Sequence, residues 1–173
     1  AVTVDSDTST SDTLLLFATG AAKGASPVTD IKDPRLSGFK RALGKVLKDL
    51  SQQVIRDGEG ARKLIEVSVT SAKSAKSAKR IALSIANSPL VKTAFFGQDA
   101  NWGRIMAAVG YSGADVDQSR VSLFFDDVRM VAGGLFVGGD AEKSGSEVLK
   151  KPEFAVTIEL GLGNGRATVY TSD

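Results

Sequence analysis

The chain has 173 residues, 22 Lys and Arg against 20 Asp and Glu, a formal net charge of +2, and neither Cys nor His. These absences exclude a disulfide framework, a thiolate nucleophile, a Ser-His-Asp triad within the chain and any metal site built on Cys or His, so a metal would need oxygen ligands alone. Hydrophobic residues at 42% and charged residues at 24% describe a folded protein, at a length that buries a sizeable core without staples.

Residues 1–4 alternate in character and can open a strand. The run from Asp5 to Thr13 holds only short polar side chains, which compete for their own backbone and favour turns. Its three carboxylates, Asp5, Asp7 and Asp12, do not match the spacing of a calcium-binding loop. Leu14–Ala18 is apolar throughout and reads as a strand buried on both faces, with a buried helix segment as the alternative. A loop of small residues leads to a helix expected over Asp33–Arg56, with Asp33 as cap and Pro34 in the first position. Leu36, Phe39, Leu43, Val46, Leu47, Leu50 and Val54 fall on one face of it. The helix ends at Asp57-Gly58-Glu59-Gly60, where glycine permits a left-handed exit.

Alternation from Ile65 to Thr70 predicts a strand. A three-fold Ser-Ala-Lys run over 71–79 opens a helix that reaches Asn87, with Pro89 as its stop. The lysines of that run read as a solvated helix face; without interleaved aromatics they make no nucleic-acid site. A short helix is expected from Asn101 or Trp102 to Val109, with Asn101 as cap and Trp102 as core filler. Strands follow at 121–125, 128–131 and 135–137, then a helix over 141–150 that Pro152 stops. Phe154–Leu162 and Ala167–Tyr170 read as strands joined by a Gly163-Asn164-Gly165 hairpin turn. The fold class is therefore α+β, helical in its first two thirds and antiparallel-stranded in its last third, with a boundary between about 70 and 115.

No run approaches the roughly 20 apolar residues of a membrane span, and the first residues lack the pattern of a signal peptide. A surplus of two positive charges gives little ground for a nucleic-acid partner. The expectation is a cytoplasmic protein with neither membrane nor nucleic-acid binding. Glu59 stands out: a carboxylate between two glycines at a helix end has little crowding and is free to accept hydrogen bonds from a ligand ammonium. The bland alternative is an exposed acidic turn residue.

Several segments together resemble the β chain of the ornithine acetyltransferase (glutamate N-acetyltransferase) family of arginine biosynthesis. They are Thr3–Thr13, Asp57-Gly58-Glu59-Gly60-Ala61, Asn87–Ala94, Gly97–Arg104 and the closing Thr168–Asp173. Their order and spacing agree over essentially the whole chain. The resemblance implies a self-cleaving precursor whose β chain begins with a nucleophilic Thr. That Thr takes acetyl from N-acetylornithine, or from acetyl-CoA in some members, and passes it to glutamate. It implies an N-terminal-nucleophile-like core portion over 1–70, followed by a smaller strand-rich α+β domain over 71–173. It implies no cofactor and no metal, and assembly with the α chain of the same precursor into a heterotetramer of two α and two β chains. Glu59 matches the family's substrate-contacting glutamate.

This sequence departs from the family's pattern at its first residue, which is Ala1 and not Thr. The nucleophile is expected upstream, with no catalytic residue in this chain, so the chain alone is expected to be inactive. The functional classes that compete with an acetyltransferase fragment are a stand-alone binding or assembly module and a related amide hydrolase.

Overall fold

The computed structural model describes residues 2–7, 13–24 and 26–173. They fall into two compact units, one of Asp7–Leu50 and the other of the first six residues with Ser51–Asp173. The expected boundary region begins at residue 70, which lies inside a strand of the larger unit.

In the smaller unit, Leu14–Ala18 forms no strand, and Leu14, Leu15, Leu16 and Phe17 are 69–81% exposed. An apolar run states a preference for burial, but a strand also needs a neighbour for its backbone groups, and none lies beside it among the described residues. Thr8–Asp12, the middle of the hydroxyl-rich run, lie outside those residues. Asp33 caps a turn: its Oδ1 accepts from the Arg35 backbone N–H at 2.8 Å, and the Arg35 guanidinium holds its carboxyl below the usual range. Lys40 Nζ donates to the Ile31 carbonyl. Helix α1 then runs Leu36–Arg56, starting three residues after its expected cap. Of its apolar stripe, Phe39, Val46, Leu47, Leu50 and Val54 are exposed.

The larger unit is built on one six-stranded sheet. Its elements in chain order are β1 (Leu64–Ala72), α2 (Ala75–Ala86), α3 (Pro89–Phe96), α4 (Trp102–Gly110), β2 (Ser122–Phe125), β3 (Val128–Ala132), β4 (Leu135–Phe136), α5 (Gly139–Leu149), β5 (Glu153–Glu159) and β6 (Gly165–Ser172). The strand order is β4-β3-β2-β5-β1-β6. β1 pairs in parallel with β5 and antiparallel with β6, so the sheet is mixed. The α+β class holds; the wholly antiparallel last third does not. β5 and β6 are not a hairpin, because β1 lies between them. The connection crosses the end of β1 instead: the N–H groups of Leu160 and Leu162 donate to the carbonyls of Thr70 and Ser71. Glycine is needed there for close approach, since a Cβ on Gly165 would stand 2.3 Å from the Ser74 carbonyl carbon.

Period-two alternation sorts β1 into two faces. Ile65, Val67 and Val69 are fully buried and lie in register with Phe154, Val156 and Ile158 of β5. This face receives α2, whose Ala78, Ile81, Ala82 and Ile85 are buried in the same cluster. Phe95 of α3 meets Phe125 and Phe154 edge to face, at 6.3 and 5.4 Å. The other face is polar: Ser68 Oγ lies 2.9 Å from both Glu66 Oε1 and Thr168 Oγ1. Ile55, from the end of α1, joins Leu64 and Tyr170 in a small cluster.

Helix α3 has no counterpart in the sequence expectations, where Pro89 is a stop. It is a start: Ser88 is the cap, its Oγ accepting from the Val91 N–H, and Pro89 occupies the first turn, where no N–H is required. The lysines of the Ser-Ala-Lys run behave as expected, with Lys73, Lys76 and Lys79 exposed and Ser74 capping α2. Val2 makes an isolated parallel bridge to Tyr170, beside a Thr3 N–H to Tyr170 carbonyl bond of 3.0 Å. No described helix is long and apolar enough to cross a membrane.

Candidate functional site

Glu59 sits at the tip of the turn between α1 and β1. The Ala61 N–H donates to the Gly58 carbonyl at 3.0 Å, which leaves Glu59 and Gly60 as the two central residues. Gly60 has φ +74°, the left-handed value that a type II turn requires at its third position. Glu59 is exposed and has no hydrogen-bond or ion-pair partner among the described residues. A carboxylate held on a tight turn without an internal partner is free to accept charge-assisted hydrogen bonds from an ammonium.

The turn is fixed at both ends. On its N-terminal side Ile55 is 1% exposed, and its carbonyl accepts from the Gly58 N–H at 3.3 Å. On its C-terminal side Asp173 Oδ1 accepts from the backbone N–H groups of Arg62 and Lys63, at 2.8 and 2.9 Å. The Arg62 guanidinium lies 3.6 Å from the centre of the Phe96 ring and donates to the Phe96 carbonyl. Lys63 is buried; its Nζ donates to the Phe95 carbonyl at 2.7 Å and lies 3.4 Å from Asp173 Oδ2. A hollow of about 250 Å³ is lined by Arg56 and Leu64, which flank the turn in sequence, together with Gln52, Glu66, Glu153 and Tyr170. Arg56 and Glu153 form an ion pair across it, 2.9 Å long and exposed to solvent.

Segments distant in sequence converge at this end of the sheet. Thr3 Oγ1 donates to Asn87 Oδ1 at 2.6 Å. Lys92 Nζ donates to Thr171 Oγ1 and to the Ser172 carbonyl, at 3.0 and 2.6 Å. Burial lowers the Lys92 pKa below the ordinary lysine value, and the charges of Asp173 and Asp5 oppose that shift. Arg104 Nη1 donates to the Leu90 carbonyl at 2.9 Å and to Thr93 Oγ1 at 3.3 Å, which ties α4 to α3. Asn101 is the expected cap of α4, its Oδ1 accepting from the Arg104 N–H, and Trp102 stacks on Phe136 with centroids 5.2 Å apart.

Sequence reading singles out Glu59 and misses three charged residues: Lys63 and Asp173, which meet at the strand end after the turn, and Lys92, which binds the end of β6. Only Lys63 left a trace: a cation directly before the buried start of β1 must find an internal partner. The other two become notable only when the chain is folded.

The chain as a whole, including these segments, matches one known family. A sequence model of the ArgJ family matches residues 1–173. Among curated proteins, the arginine biosynthesis bifunctional protein ArgJ of Mesorhizobium japonicum is 59% identical over the whole chain, and that of Geobacter sulfurreducens also 59%. The chain spans 42% and 44% of those two relatives. The crystal structure of an arginine biosynthesis bifunctional protein ArgJ from Bacillus halodurans superimposes with a TM-score of 0.88 at 37% identity, over 99% of this chain and 80% of that one. With its full length matched by the family's own pattern and its fold shared with a solved member, the chain belongs to the ArgJ family.

Proposed function

We propose that the chain forms part of an N-acetyltransferase of arginine biosynthesis and carries the carboxylate that recognises the amino-acid substrate. In this reading a threonine upstream of residue 1 attacks the acetyl carbonyl of N-acetylornithine. The amide C–N bond breaks, the ornithine amine leaves with a proton, and the acetyl group remains as a threonine ester. The α-amine of glutamate then attacks the ester, forming N-acetylglutamate and restoring the hydroxyl. Glu59 pairs with the free ammonium of the amino acid and so orients the carbonyl for attack. The observation that carries the reading is an exposed turn carboxylate, without a partner among the described residues, in a chain of the ArgJ family.

The partner in this reading is the α chain of the same precursor, in an assembly of two α and two β chains located in the cytoplasm. Residues 1–70 contribute to an N-terminal-nucleophile-like core. The apolar side chains exposed at Leu14–Phe17 support the existence of a covering partner. The chain on its own is inactive, because the attacking hydroxyl lies elsewhere.

The test is Glu59→Gln in the full two-chain enzyme. Loss of a charged hydrogen bond predicts a KM for N-acetylornithine raised about tenfold or more; unchanged kinetics would remove Glu59 from the site. Acetylated products assayed with and without glutamate separate transfer from hydrolysis.

A further inference from the structure

We infer that Asp173 is a positioning residue for substrate recognition: its buried carboxylate anchors the strand end that carries the Glu59 turn. The inference rests on the reading of Glu59 as the substrate-binding carboxylate.

The ladder between β1 and β6 ends at the pair Leu64–Ser172, so the N–H groups of Arg62 and Lys63 lie just beyond it. Lys63 is buried, and a buried donor without a partner is costly. Asp173, one residue past that last pair, turns its side chain back and accepts both of them through Oδ1. That side chain is fully buried, and Oδ2 faces the buried ammonium of Lys63 at 3.4 Å and the Arg62 guanidinium at 3.8 Å. A carboxylate taken wholly out of water persists only when its hydrogen bonds and charge are met; here both are.

The geometry ties this anchor to Glu59. Arg62 lies three residues after it, a span of at most about 11 Å of extended chain. On the other side Ile55 fixes the end of α1 through its burial and its bond to Gly58. Glu59 is thus suspended between two fixed points, exposed and with no hydrogen bond or ion pair of its own among the described residues to hold it. Releasing the Asp173 end frees the turn, and a recognition group displaced by about 1 Å loses much of its effect.

The experiment compares Asp173→Ala, Asp173→Asn, Glu59→Gln and the double variant Glu59→Gln/Asp173→Ala in the full two-chain enzyme. Its readouts are KM and kcat for N-acetylornithine and backbone amide exchange over residues 57–64. Asp173→Ala should raise KM about tenfold with kcat changed less than threefold, and should speed exchange at Arg62 and Lys63. Asp173→Asn keeps an oxygen that accepts both N–H groups, so it should recover most of the lost KM and leave exchange close to the wild type. It also carries the test if Asp173→Ala does not fold, since it should still raise KM two- to threefold through the lost charge. The double variant should be no worse than Glu59→Gln alone, because Asp173 acts through Glu59. A wild-type KM in both Asp173 variants, or losses that multiply in the double variant, overturns the role of Asp173 while Glu59 stands. A wild-type KM in Glu59→Gln instead removes the reading on which the inference rests.

Discussion

Lys92 shows how much one side chain depends on where the fold takes it. Its half-buried ammonium donates to Thr171 and Ser172, and burial lowers its pKa more than Asp173 and Asp5 raise it. The unfolded chain keeps the ordinary lysine value, near 10.4. Between the lowered folded value and 10.4 the unfolded state therefore binds more protons, and stability rises with pH across that window. Below the window the full cost of burying the charge is present; above it neither state holds the proton and the effect is constant. Lys92→Met should remove this contribution. The difference in unfolding free energy, wild type minus variant, should increase as pH rises toward 10.4. A difference that is flat or falls would show that the ammonium is not penalised by its surroundings. Nothing near Lys92 in sequence signals this, because its partners lie at the far end of the chain. The turn that carries Glu59 is legible for the opposite reason: its glycines are immediate neighbours in sequence.

At the scale of elements, caps proved readable where the helix was already visible and misleading where it was not. Asn101 precedes a run of apolar residues and caps α4 as expected. Ser88-Pro89 has the chemistry of a helix start, yet it directly follows α2 and reads equally well as that helix's end. Two helices meeting at one short segment cannot be separated by local propensity; contacts such as Tyr111 Oη donating to Ser88 Oγ at 2.9 Å fix the break. Asn101→Ala should destabilise the protein by about 1 kcal/mol, with Asn101→Asp recovering most of it. The change also loosens the first turn, where Trp102 stacks on Phe136. The chain has a single Trp, so its fluorescence reports that stack directly, and an emission maximum unmoved in Asn101→Ala would mean that the cap does not hold the turn in place.

For the whole molecule, strand existence was legible and strand adjacency was not. Alternation located β1, β5 and β6, but it carries no record of which strands become neighbours. A glycine-rich link between two alternating segments signals a hairpin only if nothing enters between them; here β1 does. The same gap separates apolarity from burial. Leu14–Phe17 reads as a buried strand, and the fold leaves those side chains exposed, as it does Phe39, Val46, Leu47, Leu50 and Val54 of α1. If the α chain covers such surface, the chain alone should bind a hydrophobic dye such as ANS, and addition of the α chain should lower the fluorescence. Unchanged emission in the complex would assign that surface to something else.

The place of β1 also bears on how the protein comes into being. Its strand is translated before α2 to α5, and both its neighbours, β5 and β6, follow only after them. Pairing between segments so remote in sequence closes long loops and is slow. Until β5 and β6 have been made, a nascent chain therefore carries a strand with Ile65, Val67 and Val69 on one face and two open edges. That makes it a natural client for chaperones, and any truncation that removes β6 leaves that hazard permanently in place.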